Sequence, residues 1–127
     1  ILVTLEGHQD YVWSVAYSPD GKQIASCSGD FSVKIWDPNS GKCLKTLLGH
    51  SESVRKVVFS PDSKKLASCA WDYTVKIWNT SSGQCLKTLK GHRKEVLALD
   101  YSPDGKYIAS GSADRSIKIW DAAYGIY

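Results

Sequence analysis

Three histidines, three serines and three aspartates recur in this chain at one fixed spacing. The sets are His8, Ser26 and Asp30; His50, Ser68 and Asp72; and His92, Ser110 and Asp114. A hydroxyl nucleophile, an imidazole base and an orienting carboxylate are the ingredients of acyl-transfer catalysis. The same histidines are candidate zinc ligands. Both readings meet one obstacle, the repetition itself. An enzyme rarely carries three equally spaced copies of its active site. Histidines from three separate units would also have to converge to hold one metal. No catalytic residue, metal site or cofactor is therefore expected, and the sets read as a structural part that every unit needs.

The unit is 42 residues long. Gly-His recurs at Gly7-His8, Gly49-His50 and Gly91-His92, and a tryptophan stands 28 residues after each histidine, at Trp36, Trp78 and Trp120. An invariant gap inside an invariant period is the mark of a stacked or radial array. The first unit opens with Tyr11 to Tyr17, rich in β-branched and aromatic residues. Ser18-Pro19-Asp20-Gly21 breaks the chain, because proline presets φ and glycine accepts positive φ. Strands follow at Gln23 to Cys27, Ser32 to Trp36 and Cys43 to Leu47, separated by turns at Gly29-Asp30 and Asn39-Ser40-Gly41. No window has a useful 3.6-residue period, so no helix is expected. In the second unit Ser63 replaces the turn glycine, which a type I turn can tolerate.

These residues resemble the WD-repeat family of β-propellers. The resemblance rests on the Gly-His pair, the Ser-Pro-Asp turn, the aspartate six residues before the tryptophan, and the dipeptides Trp36-Asp37, Trp78-Asn79 and Trp120-Asp121. It covers essentially the whole chain and implies an all-β fold of four-stranded antiparallel blades, three per chain. It also implies a hydrogen-bonded tetrad in each blade: Trp36, Ser26, His8 and Asp30; Trp78, Ser68, His50 and Asp72; Trp120, Ser110, His92 and Asp114. Such closed networks satisfy buried polar groups and fix turn geometry.

Propellers close with about four to eight blades, so three blades leave apolar faces open. Ile1 to Leu5 aligns with Cys43 to Leu47, and residues 1–6 read as the fourth strand of a neighbouring blade. Repeats then span 7–48, 49–90 and 91–127, and the last lacks a fourth strand. Head-to-tail contact between copies closes into a ring when the rotation allows. A dimer of six blades or a trimer of nine is expected, against the alternative that other blades belong to a longer chain. The absence of methionine, including at position 1, reads as a processed or excised chain.

The chain has 127 residues, 43% hydrophobic, with a net charge of +3. It shows neither an apolar run long enough for a membrane span nor a signal peptide, so a cytoplasmic protein without a membrane partner is expected. Cys27, Cys43, Cys69 and Cys85 show no Cys-x-x-Cys spacing and read as reduced, strand-borne hydrophobes. Lys42, Lys45, Lys87 and Lys90 flank fourth strands, where lysine discourages edge pairing. No clustering of basic residues marks a nucleic-acid partner.

Positions that differ between units while their neighbours hold are informative. Three residues after each histidine stand Tyr11, Ser53 and Glu95; five after, Trp13, Arg55 and Leu97; and just before each turn aspartate, Gly29, Trp71 and Ala113. The resemblance implies that these positions share the face where propellers grip peptides or protein surfaces. Aromatic and arginine residues carry most binding energy in interfaces. Tyr11, Trp13, Arg55 and Trp71 are thus candidate partner-binding residues, with Glu95 as a polar selector. Trp13 and Trp71 could instead pack between blades. The expected function is a non-enzymatic scaffold for a protein or peptide partner. The alternative is a self-assembling propeller fragment with no dedicated ligand.

Overall fold

A computed structural model describes residues 1–125. The first repeat folds into β1 (Val12–Tyr17), β2 (Ile24–Ser28), β3 (Val33–Trp36) and β4 (Cys43–Leu47). The second gives β5 (Val54–Phe59), β6 (Lys65–Ala70), β7 (Val75–Asn79) and β8 (Cys85–Leu89), and the third β9 (Val96–Tyr101), β10 (Tyr107–Ser112) and β11 (Ile117–Asp121). Each sheet is an antiparallel meander in chain order, of four, four and three strands. Residues 126 and 127, where the last repeat would enter a fourth strand, lie outside the described residues. Among the described residues there is no helix, and none long and apolar enough to cross a membrane.

The sheets stack face to face, and the core lies between them. Ala25, Cys27, Val33, Ile35 and Leu47 of the first sheet pack against Val54, Val57, Phe59 and Leu66 of the second. The same contact recurs one repeat later, where Ala67, Cys69, Val75, Ile77 and Leu89 meet Val96, Leu99, Tyr101 and Ile108. Identical positions at the two ends of the stack have no such cover. Val57 is 1% exposed but its equivalent Val15 is 67% exposed; Val75 is wholly buried but Ile117 is 76% exposed.

Local chemistry accounts for the joints. Gly21 and Gly105 take φ of 73° and 74° in the Ser-Pro-Asp turns, and Ser63 takes 65° at the same place. The serine therefore adopts a left-handed conformation that glycine adopts without strain. Its hydroxyl accepts a bond from the Asp20 amide of the neighbouring repeat at 3.2 Å, which offsets part of that cost. Glycine precedes each histidine for a different reason. A Cβ on Gly7, Gly49 or Gly91 would come within 3.2, 3.3 or 3.2 Å of the indole Cη2 of Trp36, Trp78 or Trp120.

The turn after the second strand falls at Gly29-Asp30 as expected, and its left-handed residue is the one after the aspartate, Phe31, with Tyr73 and Arg115 at the same place in the other repeats. One expectation differs from what is seen. Residues 1–5 form no strand. They lie where fourth strands lie, since Val3 and Leu5 approach Gly41 as Lys45 and Leu47 approach Gly83. Without a third strand beside them, their backbone has no ladder to join.

Candidate functional site

In the first sheet, Trp36 Nε1 donates to Ser26 Oγ at 2.8 Å, Ser26 Oγ lies 2.6 Å from His8 Nε2, and His8 Nδ1 lies 3.0 Å from Asp30 Oδ2. The second sheet repeats this at 2.8, 2.7 and 2.8 Å for Trp78, Ser68, His50 and Asp72. The third gives 2.8, 2.7 and 2.9 Å for Trp120, Ser110, His92 and Asp114. Because a carboxylate only accepts, Nδ1 carries a proton; the serine hydroxyl, accepting from indole, is left to donate to Nε2. Every donor finds an acceptor, and the chain of bonds ties the loop before the first strand to the second and third strands.

A hydroxyl not foreseen from the sequence completes each network. Asp30 Oδ1 accepts from Ser32 Oγ at 2.6 Å, Asp72 Oδ1 from Thr74 Oγ1 at 2.7 Å, and Asp114 Oδ1 from Ser116 Oγ at 2.6 Å. The signal was present: the residue two after each turn aspartate is Ser or Thr in all three repeats. Burial pushes the Asp30 and Asp72 carboxyls up. For Asp30 the bonds from Ser32, the Gln9 amide and His8 outweigh it; for Asp72 those from His50 and Thr74 do. Both sit well below the usual carboxylate range, as does Asp114, held there chiefly by Ser116 and the Arg93 amide.

Serine, histidine and aspartate are thus aligned as in a hydrolase, three times over. In the second repeat, however, the hydroxyl is shut off from solvent. Ser68 is wholly buried, and its oxygen already accepts the Trp78 indole N–H.

The variable positions are brought together by two devices. First, the Gly29 amide donates to Tyr11 O, the Trp71 amide to Ser53 O and the Ala113 amide to Glu95 O, each at 2.9 Å. Every repeat thereby couples the position three after the histidine to the one before the aspartate. Second, each first strand carries a register shift at its start. Val12 pairs with Ser28 and Ser14 with Cys27, leaving Trp13 unpaired; Arg55 and Leu97 are skipped in the same way. A bulge takes its extra residue out of strict in-out alternation and re-aims its side chain.

Four of the five candidate binding residues form one cluster across the first two repeats. The Arg55 guanidinium carbon stands 4.4 Å from the Trp13 ring centroid and 5.8 Å from that of Trp71. The two indoles are 6.5 Å apart, and Tyr11 meets Trp13 edge-on at 5.7 Å. Trp13 and Trp71 keep 41% and 39% of their surface exposed, so they are only partly covered. Glu95 stands apart, across Trp71, in an open cleft of about 400 Å³ shared with Ser51, Glu52, Trp71, Asp72 and Tyr73. Glu52 and Tyr73 were not singled out from the sequence. Tyr73 follows the turn aspartate, a position that also differs between repeats, as Phe31 and Arg115.

The four cysteines are free, Cys27 and Cys69 deep in the core. Burial pushes both thiols up to about 12. No group of residues suited to a metal ion occurs among the described residues.

Stacked antiparallel meanders, each locked by a Trp-Ser-His-Asp network, define an array of β-propeller blades. The model of the WD domain, G-beta repeat family matches residues 1–37, 41–79 and 83–121, and the chain belongs to that family. Each match begins just before or within a fourth-strand segment, so the sequence repeat straddles two neighbouring blades. Among curated proteins the chain is similar to human Striatin-4, 58% identical over 36 residues, or 28% of this chain and 5% of that protein. A probable cytosolic iron-sulfur protein assembly protein CIAO1 homolog from Chlamydomonas reinhardtii is 62% identical over 32 residues, 25% of this chain and 9% of that one. Eukaryotic translation initiation factor 3 subunit I of Scheffersomyces stipitis is 44% identical over 43 residues, 34% and 12%. Each similarity covers about one repeat and no more than 12% of these relatives' own length.

Proposed function

We propose that this chain is a non-enzymatic platform for a protein or peptide partner, docked on the face that carries Tyr11, Trp13, Arg55 and Trp71, with Glu95 at its margin. The observation that carries this reading is the stacking of Arg55 on two half-exposed indoles. It places the residue types of binding hot spots in one surface cluster. The tetrads act as structural ties that hold the loops presenting this cluster. The relatives support the reading at the level of class, since one is by name a subunit of a translation initiation factor and another a protein of iron-sulfur protein assembly. The name of the CIAO1 homolog refers to cytosolic iron-sulfur protein assembly, and a cytoplasmic setting is proposed here too. Free cysteines agree with a reducing compartment.

The test is selection of a displayed random peptide library on the full chain, beside the Trp13→Ala/Trp71→Ala double variant. Peptides enriched on the native chain and not on the variant, with the variant's far-UV spectrum unchanged, are the expected outcome. Equal enrichment on both would refute the assignment.

The open end faces favour a second element of this reading, closure of the stack by further copies. The face holding Val12, Val15 and Tyr17 matches the one that the second sheet presents to the first, and the face holding Ile117 and Ile119 matches the other side of that joint. A dimer or trimer joined in this way, six or nine blades, would bury both. Light scattering should then give two or three times 14.0 kDa; a stable monomer would overturn the ring.

A further inference from the structure

We propose that Arg55 is the receptor for an oxyanion carried by the docked partner, an inference that rests on the docking surface proposed above. Three observations carry it. The side chain is pinned. Its guanidinium lies over the Trp13 ring at 4.4 Å and near that of Trp71 at 5.8 Å, so apolar planes hold its position. Of the five N–H donors on the rim of the guanidinium plane, those of the two terminal nitrogens are left to a ligand, while Nε is covered.

The charge is also unmatched. Among the described residues no carboxylate lies within ion-pair distance of Arg55, and its side chain makes no hydrogen bond. Its Nε is shut off from solvent with no acceptor. The residue is also peculiar to its repeat, since the same bulge position holds Trp13 and Leu97 elsewhere. The fold does not require a cation there.

Partly exposed Trp13 and Trp71 set low-dielectric surface beside the group, with the more exposed Tyr11 against Trp13. Such surroundings strengthen a charge-assisted bond once water is displaced. The nearby carboxylates of Glu52 and Glu95 share the cleft on the Trp71 and Tyr73 side and form no pair with Arg55. Trp71 thus divides a positive site from a negative margin. A carboxylate fits the guanidinium fork with two parallel bonds. Its source would be an Asp or Glu side chain or a chain terminus of the partner; a phosphorylated side chain offers the same chemistry.

The test sequences the peptides selected on the native chain and repeats the selection on Arg55→Gln. At least a threefold enrichment of Asp or Glu at one position is expected on the native chain, falling to the input frequency on Arg55→Gln. The best selected peptide is then synthesised with its acidic residue changed to the amide. That change should weaken binding to the native chain about tenfold and binding to Arg55→Gln hardly at all. A free-acid against an amidated C-terminus, and phosphoserine in place of the acidic residue, assign the source of the oxyanion. Enrichment that depends on Trp13 and Trp71 but shows no acidic preference would overturn the Arg55 inference alone. No enrichment over the double tryptophan variant would overturn the docking surface and this inference with it.

Discussion

Arg55 stacks on Trp13, with its guanidinium carbon 4.4 Å from the ring centroid, although the two residues hold the same position in successive repeats. Each is the residue skipped at a strand bulge, so the two side chains project from equivalent irregularities in neighbouring sheets and meet across the seam. Stacking is worth about 0.5–1 kcal/mol at an exposed site, and the unpaired Nε costs about as much or more. The terms oppose each other. Arg55→Leu, which reproduces what the third repeat has at Leu97, should therefore shift stability by less than about 1 kcal/mol. A urea titration checks this. A loss of several kcal/mol would mean that Arg55 is a structural residue and not a presented one.

The serine at the centre of each tetrad offers a graded test. Ser68→Ala strands the Trp78 indole N–H and the His50 Nε2 in a sealed interior, and should cost about 2–4 kcal/mol. Ser26→Ala removes the same bonds, but His8, Ser26 and Trp36 line a small cavity on the open face of the first sheet, beside exposed Val12 and Val15. Water can replace the hydroxyl there, and the loss should be nearer 1 kcal/mol. Equal losses, measured by denaturation with tryptophan fluorescence, would show that the first sheet is covered in solution.

How much of this was legible in the sequence depends on the kind of information involved. Strand number, turn positions and the tetrad residues follow from types at fixed spacing, because a repeat states its own register three times. The meeting of Trp13, Arg55 and Trp71 was readable only as a set of variable positions. Their contact depends on bulges and on the Trp71-to-Ser53 backbone bond, features of backbone geometry that no side-chain pattern announces. The strained positions Phe31, Tyr73 and Arg115 were hidden for the same reason. Glycine marks a left-handed residue only when glycine is used.

Acid should loosen the blades in a defined range. Asp30, Asp72 and Asp114 all titrate below the ordinary carboxylate in the folded chain. A depressed folded pKa contributes stability that is complete above the unfolded value, about 4, and is lost as pH falls through it toward the folded value. The urea midpoint should hold above about pH 5 and fall steeply below about pH 4. Asp72→Asn should lower the midpoint at neutral pH and flatten the acid slope, the remainder coming from Asp30, Asp114 and the turn aspartates Asp20, Asp37, Asp62 and Asp104, which are also held below the usual range. An unchanged slope would mean that Asp72 has an ordinary pKa.

Tyr101 supplies a stabilising substitution with an internal control. It stands where the second repeat has Phe59, in the same core position between sheets. Its hydroxyl is buried with no hydrogen-bond partner, and burial, helped by the nearby Asp62 charge, pushes its pKa up. In the neighbouring joint Ser63 accepts from the Asp20 amide, and Thr80 Oγ1 donates to Ser63 O and Lys64 O. The third repeat has Gly105 and Ala122 at those places. Tyr101→Phe removes an unpaid desolvation while keeping the ring, and should raise stability by about 1 kcal/mol. Phe59→Tyr should do the reverse, losing about 1–3 kcal/mol by burying a new hydroxyl in a tighter joint. Paired urea titrations decide the matter: if Tyr101→Phe is destabilised instead, the hydroxyl has found an acceptor, and the joint between the second and third sheets is held by a bond that its neighbour lacks.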